Sequence, residues 1–151
     1  MKASVVATAL AVLLAAAIAL RAQDTAPRSG LSVVLTRSNC FGSCPEYEVT
    51  IWGSGRVRYQ GREFVRVKGV RERTIPVPEV QKLVRRLQEE HFFQWDESDA
   101  VCLDFPEVHI SASLGSQRRH VVEGCNRPGK VLSLAAEIDR IAGSQRWVKK
   151  R

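Results

Sequence analysis

The sequence predicts an α+β domain: an antiparallel β meander with two α-helices packed on one face, in the order strands, helix, hairpin, helix. Three observations carry this expectation. Residues 46–75 alternate apolar and polar around glycine-containing turns. Apolar residues then fall at helical spacing from Val80 to His91. A second alternating pair follows, and a second helical stripe closes the chain. A sheet covered on one face by two helices buries all of these stripes at once.

Leu31 to Thr36 is a short strand, apolar on much of both faces. From Glu46 to Trp52, Tyr47, Val49 and Ile51 oppose Glu48, Thr50 and Trp52. Gly53-Ser54-Gly55 turns the chain, and Arg56 to Tyr59 returns, which is a hairpin signal. Phe64 to Lys68 continues the alternation; Gly69 permits a reversal, and Arg71 to Ile75 comes back as a strand. Such a meander has one apolar and one wet face. Val80, Leu83, Val84, Leu87 and His91 then mark a helix from about Pro78 to His91, with proline at its first position. Asp96 to Pro106 reads as a loop. Val108 to Leu114 and Arg118 to Glu123 form a hairpin around Gly115-Ser116. A second helix starts near Pro128 and buries Val131, Leu134, Ala135, Ile138, Ile141 and Ala142.

Residues 1–22 have the layout of a secretory signal: Met1-Lys2, an apolar run from Ala3 to Leu20, and a small-residue exit at Ala22. An uncleaved anchor is the competing reading, since a bilayer span needs about 20 apolar residues. Residues 23–30 form a short tether, 31–148 a single domain and 149–151 a basic tail. Removing residues 1–22 takes away Lys2 and Arg21 and no acid, so the formal charge falls from +7 to +5. The expected setting is therefore the periplasm or the extracellular space, with membrane contact only through an uncleaved leader.

Four cysteines in an exported chain of this size suggest two disulfides. Cys40 and Cys44 are separated by Phe41-Gly42-Ser43, and Pro45 leads into the next strand. A local structural disulfide is the expectation. A catalytic thiol pair normally has Cys-x-x-Cys spacing inside a βαβ unit, and neither is present. Cys102 and Cys125 flank the late hairpin, whose ends are close in space, so they are paired with each other here.

No catalytic residue, metal ligand or cofactor is assigned. Gly53-Ser54-Gly55 precedes a strand and not a helix, so it is no phosphate-binding loop. Asp104, His109 and His120 form a conceivable acid–base or metal cluster if the hairpin register brings the two histidines together. Arg56, Arg58, Arg66, Lys68, Arg71 and Arg73 are expected to face water together, either as a candidate anion-binding face or, the favoured reading, as an ordinary solvated sheet face whose charge Glu48, Glu63 and Glu72 dilute. The interleaved aromatics of a nucleic-acid platform are missing, so nucleic acid is not the expected partner.

Cys40-Phe41-Gly42-x-Cys44-Pro45-x-Tyr47, then Val57-x-Tyr59-x-Gly61, Phe64-Val65 and Gly69, resembles a bacterial exported family, domain of unknown function 6438. The similarity extends through Phe92-Phe93, Asp104-x-Pro106 and Arg146-Trp147-Val148. It implies an α+β domain in an envelope or secreted setting and carries over no catalytic residues. Ser54-Gly55 departs from the Asp-Gly of the family turn. Cys102 and Cys125 look like additions to the family pattern, which favours their mutual pairing. The function expected is that of a non-catalytic, monomeric, disulfide-stabilised module that binds an envelope protein or an anionic surface polymer. The alternative is a thiol-redox or metal-dependent activity at Cys40 and Cys44, or around Asp104, His109 and His120.

Overall fold

A computed structural model of the chain describes residues 30–96, 106–123 and 129–149. The leader, the Cys102–Cys125 pair, Asp104 and the last two residues lie outside the described residues. Six strands form one antiparallel sheet: β1 Leu31–Arg37, β2 Tyr47–Trp52, β3 Arg56–Gly61, β4 Gly69–Thr74, β5 Val108–Leu114 and β6 Gln117–Glu123. Their spatial order is β4-β3-β2-β1-β5-β6. Three helices complete the α+β fold: α1 Val77–Glu89, α2 Gly129–Ala142 and the short α3 Gln145–Val148. Phe92–Gln94 adds one 3-10 turn.

The register explains which face is buried. Val33 stands beside Ile51 and Ala112, and Leu35 beside Val49 and Ile110. Side chains of opposed residues share a face, so these positions form one apolar sheet surface. Val80, Leu83, Val84 and Leu87 of α1 and Val131, Leu134, Ala135 and Ile138 of α2 join it in a single buried cluster. The other face carries Ser32, Thr36, Glu48, Thr50, Trp52, Arg58, Ser111 and His120 at the alternate positions. It suits water, as the alternation predicts. Among the described residues no helix is long and apolar enough to cross a membrane.

Phe64 to Lys68 departs from the expected strand. Residues 64–67 form bends, and none of the stretch joins a ladder. Phe64 has φ 53°, which breaks an extended run. Val65 still enters the core, and Arg66 and Val67 donate their amides to the carbonyls of Val148 and Trp147 at 3.2 and 3.0 Å. The alternation is thus real, but its partner is the end of the chain. Gly61 makes the close approach possible: a β-carbon there would meet the Val67 carbonyl oxygen at 2.1 Å. The first helix also ends earlier than expected. His91 adopts φ 51° and is exposed, so it terminates the helix and leaves the apolar stripe.

Both tyrosines of the chain are buried. Tyr59 lies between Tyr47 and Trp147, with ring centroids 5.7 and 5.0 Å away. Burial pushes the Tyr59 phenol up to about 12, although the Arg66 charge works the other way. Burial and then the Asp139 charge push Tyr47 higher still. An unfolded tyrosine ionises near pH 10, about as a free phenol side chain does. The native state therefore holds these protons longer, and the associated stability is present below pH 10 and is lost as pH rises through 12. Tyrosinate absorbance of the native protein should stay flat to about pH 11, then appear together with unfolding. A reversible native titration centred near pH 10 would show that one ring is open to water.

Candidate functional site: the disulfide ring and its anchors

The ring Cys40–Cys44 is the feature on which the sequence motif converges. Its disulfide is formed, with the two α-carbons 5.5 Å apart. Gly42 has φ 148°, a backbone value that side-chain-bearing residues seldom adopt, while space for a β-carbon exists. The glycine is needed for conformation, not for room. Phe41, at the tip, is 93% exposed, the most exposed large apolar side chain among the described residues.

The stems of the ring are fixed from three directions. Ser38 exchanges bonds with the start of β5: its amide donates to the Glu107 carbonyl at 3.0 Å, and the Glu107 amide donates to its hydroxyl at 2.8 Å. On the other side, Arg62 and Glu46 prolong the β2–β3 pairing past the end of the strands, with the Arg62 amide donating to the Glu46 carbonyl at 2.9 Å. Beneath the ring, Asp139 of α2 collects both stems. Arg37, three residues before Cys40, donates from Nε and Nη2 at 3.1 and 2.9 Å. Tyr47, three residues after Cys44, places its hydroxyl 2.9 Å from both carboxylate oxygens. Ser144 donates its hydroxyl to Oδ1 and its amide to the Asp139 carbonyl.

Asp139 lies outside the cysteine motif, yet the sequence carries a signal for it. It stands four residues after Ala135 on the row that α2 buries, so a carboxylate there requires a partner. Arg37 likewise continues the buried phase of Leu31, Val33 and Leu35. The tyrosine of the cysteine motif thus has a structural assignment: it ties the second stem to the helix.

A cavity of about 180 Å³ adjoins the ring, lined by Arg37, Ser38, Cys44, Pro45, Val108 and Leu132 among others. A broader depression of about 380 Å³ lies on the open sheet face beside Ser111 and His120. There the register opposes Ser111 to His120 and His109 to Val122, which sets the two imidazoles diagonally with centroids 5.7 Å apart. The expected adjacency of the histidines is present. Each is also engaged locally, His109 with Glu107 at 3.1 Å and His120 with Ser111 at 2.7 Å. Among the described residues no three histidine, cysteine or carboxylate side chains converge as a metal ligand set.

The six basic residues expected to share a face do not do so. β3 and β4 pair Arg58 with Glu72 and Tyr59 with Arg71. Arg56 and Arg58 therefore point to the open face, and Arg71 and Arg73 to the helix side. Glu72 sits among the former and pairs with Arg56 at 2.7 Å. Arg73 donates to the Ala142 carbonyl at 3.2 Å, at the end of α2. Arg66 and Lys68 belong to the bent segment near the disulfide ring.

The chain belongs to the family described as Domain of unknown function (DUF6438), whose model matches residues 31–142. The match runs from the first residue of β1 to the last of α2, so it contains the ring, both stems and Asp139. No curated protein matches the chain.

Magnitudes rank the two devices that hold the loop. Closing a ring of about five residues restrains the unfolded chain by only about 2 kcal/mol. Removing one partner of a buried ion pair costs about 3–5 kcal/mol. The lower end applies here, because the Arg37 side chain is 26% exposed and can turn to water. Asp139→Ala should therefore lower the urea-derived stability by about 3 kcal/mol, more than Cys40→Ser with Cys44→Ser. The reverse order would mean that the disulfide, and not the carboxylate, fixes this end.

Proposed function

We propose that the protein is an exported, non-catalytic binding module of the cell envelope, and that it meets its partner through the sheet end capped by the Cys40–Cys44 ring. The single observation behind this is Phe41. Folding gains nothing from a large apolar ring left 93% in water at the tip of a loop that a disulfide and a buried carboxylate hold in place. A rigid, exposed aromatic anchor is the kind of residue that dominates binding interfaces, because little conformational entropy is left to lose on association. Export is supported by the apolar segment from Ala3 to Leu20 and by the disulfide, which persists in oxidising compartments.

The reading is tested in two steps on protein expressed with its own leader. Exported material should have its N-terminus near Gln23; retention in the cytosol with Met1 intact removes the compartment. A photo-reactive phenylalanine analogue placed at position 41 should then give an adduct with an envelope component, protein or lipid. The same analogue at Ser54, in the exposed β2–β3 turn at the opposite end of the sheet, should give none. Equal labelling from both positions would contradict recognition through the ring.

A further inference from the structure

The large apolar side chains exposed among the described residues are Phe41, Phe64 and Val70. All three lie at the ring end of the sheet. Phe41 is in the β1–β2 loop, Phe64 in the β3–β4 crossing, and Val70 is the second residue of β4. The Glu46 amide donates to the Glu63 carbonyl at 2.9 Å, so the β2–β3 pairing runs up to the residue before Phe64 and reaches the foot of the ring. Phe64 is 45% exposed and is held at φ 53°, an outlier for a bulky residue. Strain of this kind persists where the surrounding structure over-determines it, and it clusters at functional sites.

The same crossing is basic. Arg62, Arg66 and Lys68 flank Phe64, and Lys149 follows the carbonyl of Val148 that receives the Arg66 amide. Acidic neighbours are Glu46, Glu48 and Glu63. Arg62 lies 3.5 Å from Glu46 and 4.0 Å from Glu48, and Lys68 lies 2.6 Å from Glu63. These pairs are exposed, so they hold their cations loosely. Among the described residues Arg66 and Lys149 make no ion pair.

We infer that this end is a membrane-docking surface, which seats Phe41 and Phe64 at the headgroup–acyl boundary of an anionic phospholipid bilayer while Arg62, Arg66, Lys68 and Lys149 meet the headgroup phosphates. The inference rests on the reading that the protein binds through this end. A bilayer fits better than a protein groove for two reasons. The apolar side chains project from separate loops, which suits a fluid phase that closes around each. Cations flank Phe64, and anionic leaflets attract each nearby cation by about 1 kcal/mol, or about fivefold in affinity.

The test is flotation of the exported protein, its N-terminus verified, with vesicles of phosphatidylglycerol and phosphatidylethanolamine or of phosphatidylcholine alone. Binding should require phosphatidylglycerol and weaken as salt rises. Only protein whose N-terminus lies near Gln23 is floated, because a retained leader brings Lys2, Arg21 and an apolar run that would bind vesicles by themselves. Phe41→Ser with Phe64→Asn should reduce binding at least tenfold. Asparagine tolerates positive φ, so Phe64→Asn alone should leave stability unchanged or raised while binding falls. A purely structural role would lower stability instead. Arg66→Gln with Lys68→Gln should cost about 25-fold, and Arg118→Gln at the opposite end of the sheet should change nothing. No flotation, equal flotation with both vesicles, or wild-type binding by the aromatic double variant would overturn the inference. If position 41 still labels an envelope protein while vesicles are ignored, the lipid assignment fails and binding through the ring stands. If neither is seen, both fail.

Discussion

Asp139 sits 3% exposed on α2 and receives Arg37 from the end of β1 and Tyr47 from the start of β2. Those two residues bracket the disulfide ring in sequence, so one carboxylate determines where the ring stands relative to the helix. Burying a charge is costly, and a buried pair often contributes no more to stability than apolar residues of the same volume. What Asp139 supplies is position. An apolar contact would tolerate sliding of α2 across the sheet, whereas the Arg37 fork, the Tyr47 hydroxyl and the Ser144 hydroxyl accept few arrangements. The last of these also ties the chain beyond α2 to the same point, and α3 then supplies the carbonyls that hold the Arg66–Val67 segment.

Much of this fold is legible in the sequence because each element buries one stripe. Alternation in β1, β2, β3, β5 and β6 marks their core face, and α1 shows its helical period from Val80 to Leu87. The failures share a physical cause: the local pattern is ambiguous about its partner. Val65 and Val67 alternate like a strand, but Phe64 breaks the extension and the amides go to Trp147 and Val148. The face of β4 depends on a register in which Gly61 opposes Gly69, and no local signal distinguishes this from a one-residue shift. That shift would have put Arg71 and Arg73 with Arg56 and Arg58. His91 fits the helical period but lies just past a helix that has already ended.

The candidate site was half legible. The cysteine pair, its glycine and its proline can be read directly, and so can the local disulfide. Asp139 is obscured because one acid in an apolar stripe reads as an exception until Arg37 and Tyr47 are seen to converge on it. Exposure of Phe41 is a tertiary property that no pattern reports. The proposed binding function draws on these two facts together: an aromatic left in water, and a support that prevents it from collapsing onto the sheet.

The central claim is that Arg37 and Tyr47 act through one shared carboxylate, and a double-mutant cycle tests it most directly. Stability would be measured by urea unfolding for Arg37→Met, Tyr47→Phe and the combination. Groups in one network are coupled by about 0.5–3 kcal/mol, and the double variant should depart from the sum of the single changes by an amount in that range. Additivity within about 0.3 kcal/mol, the behaviour of independent sites, would contradict the account and leave the two stems of the ring separately anchored.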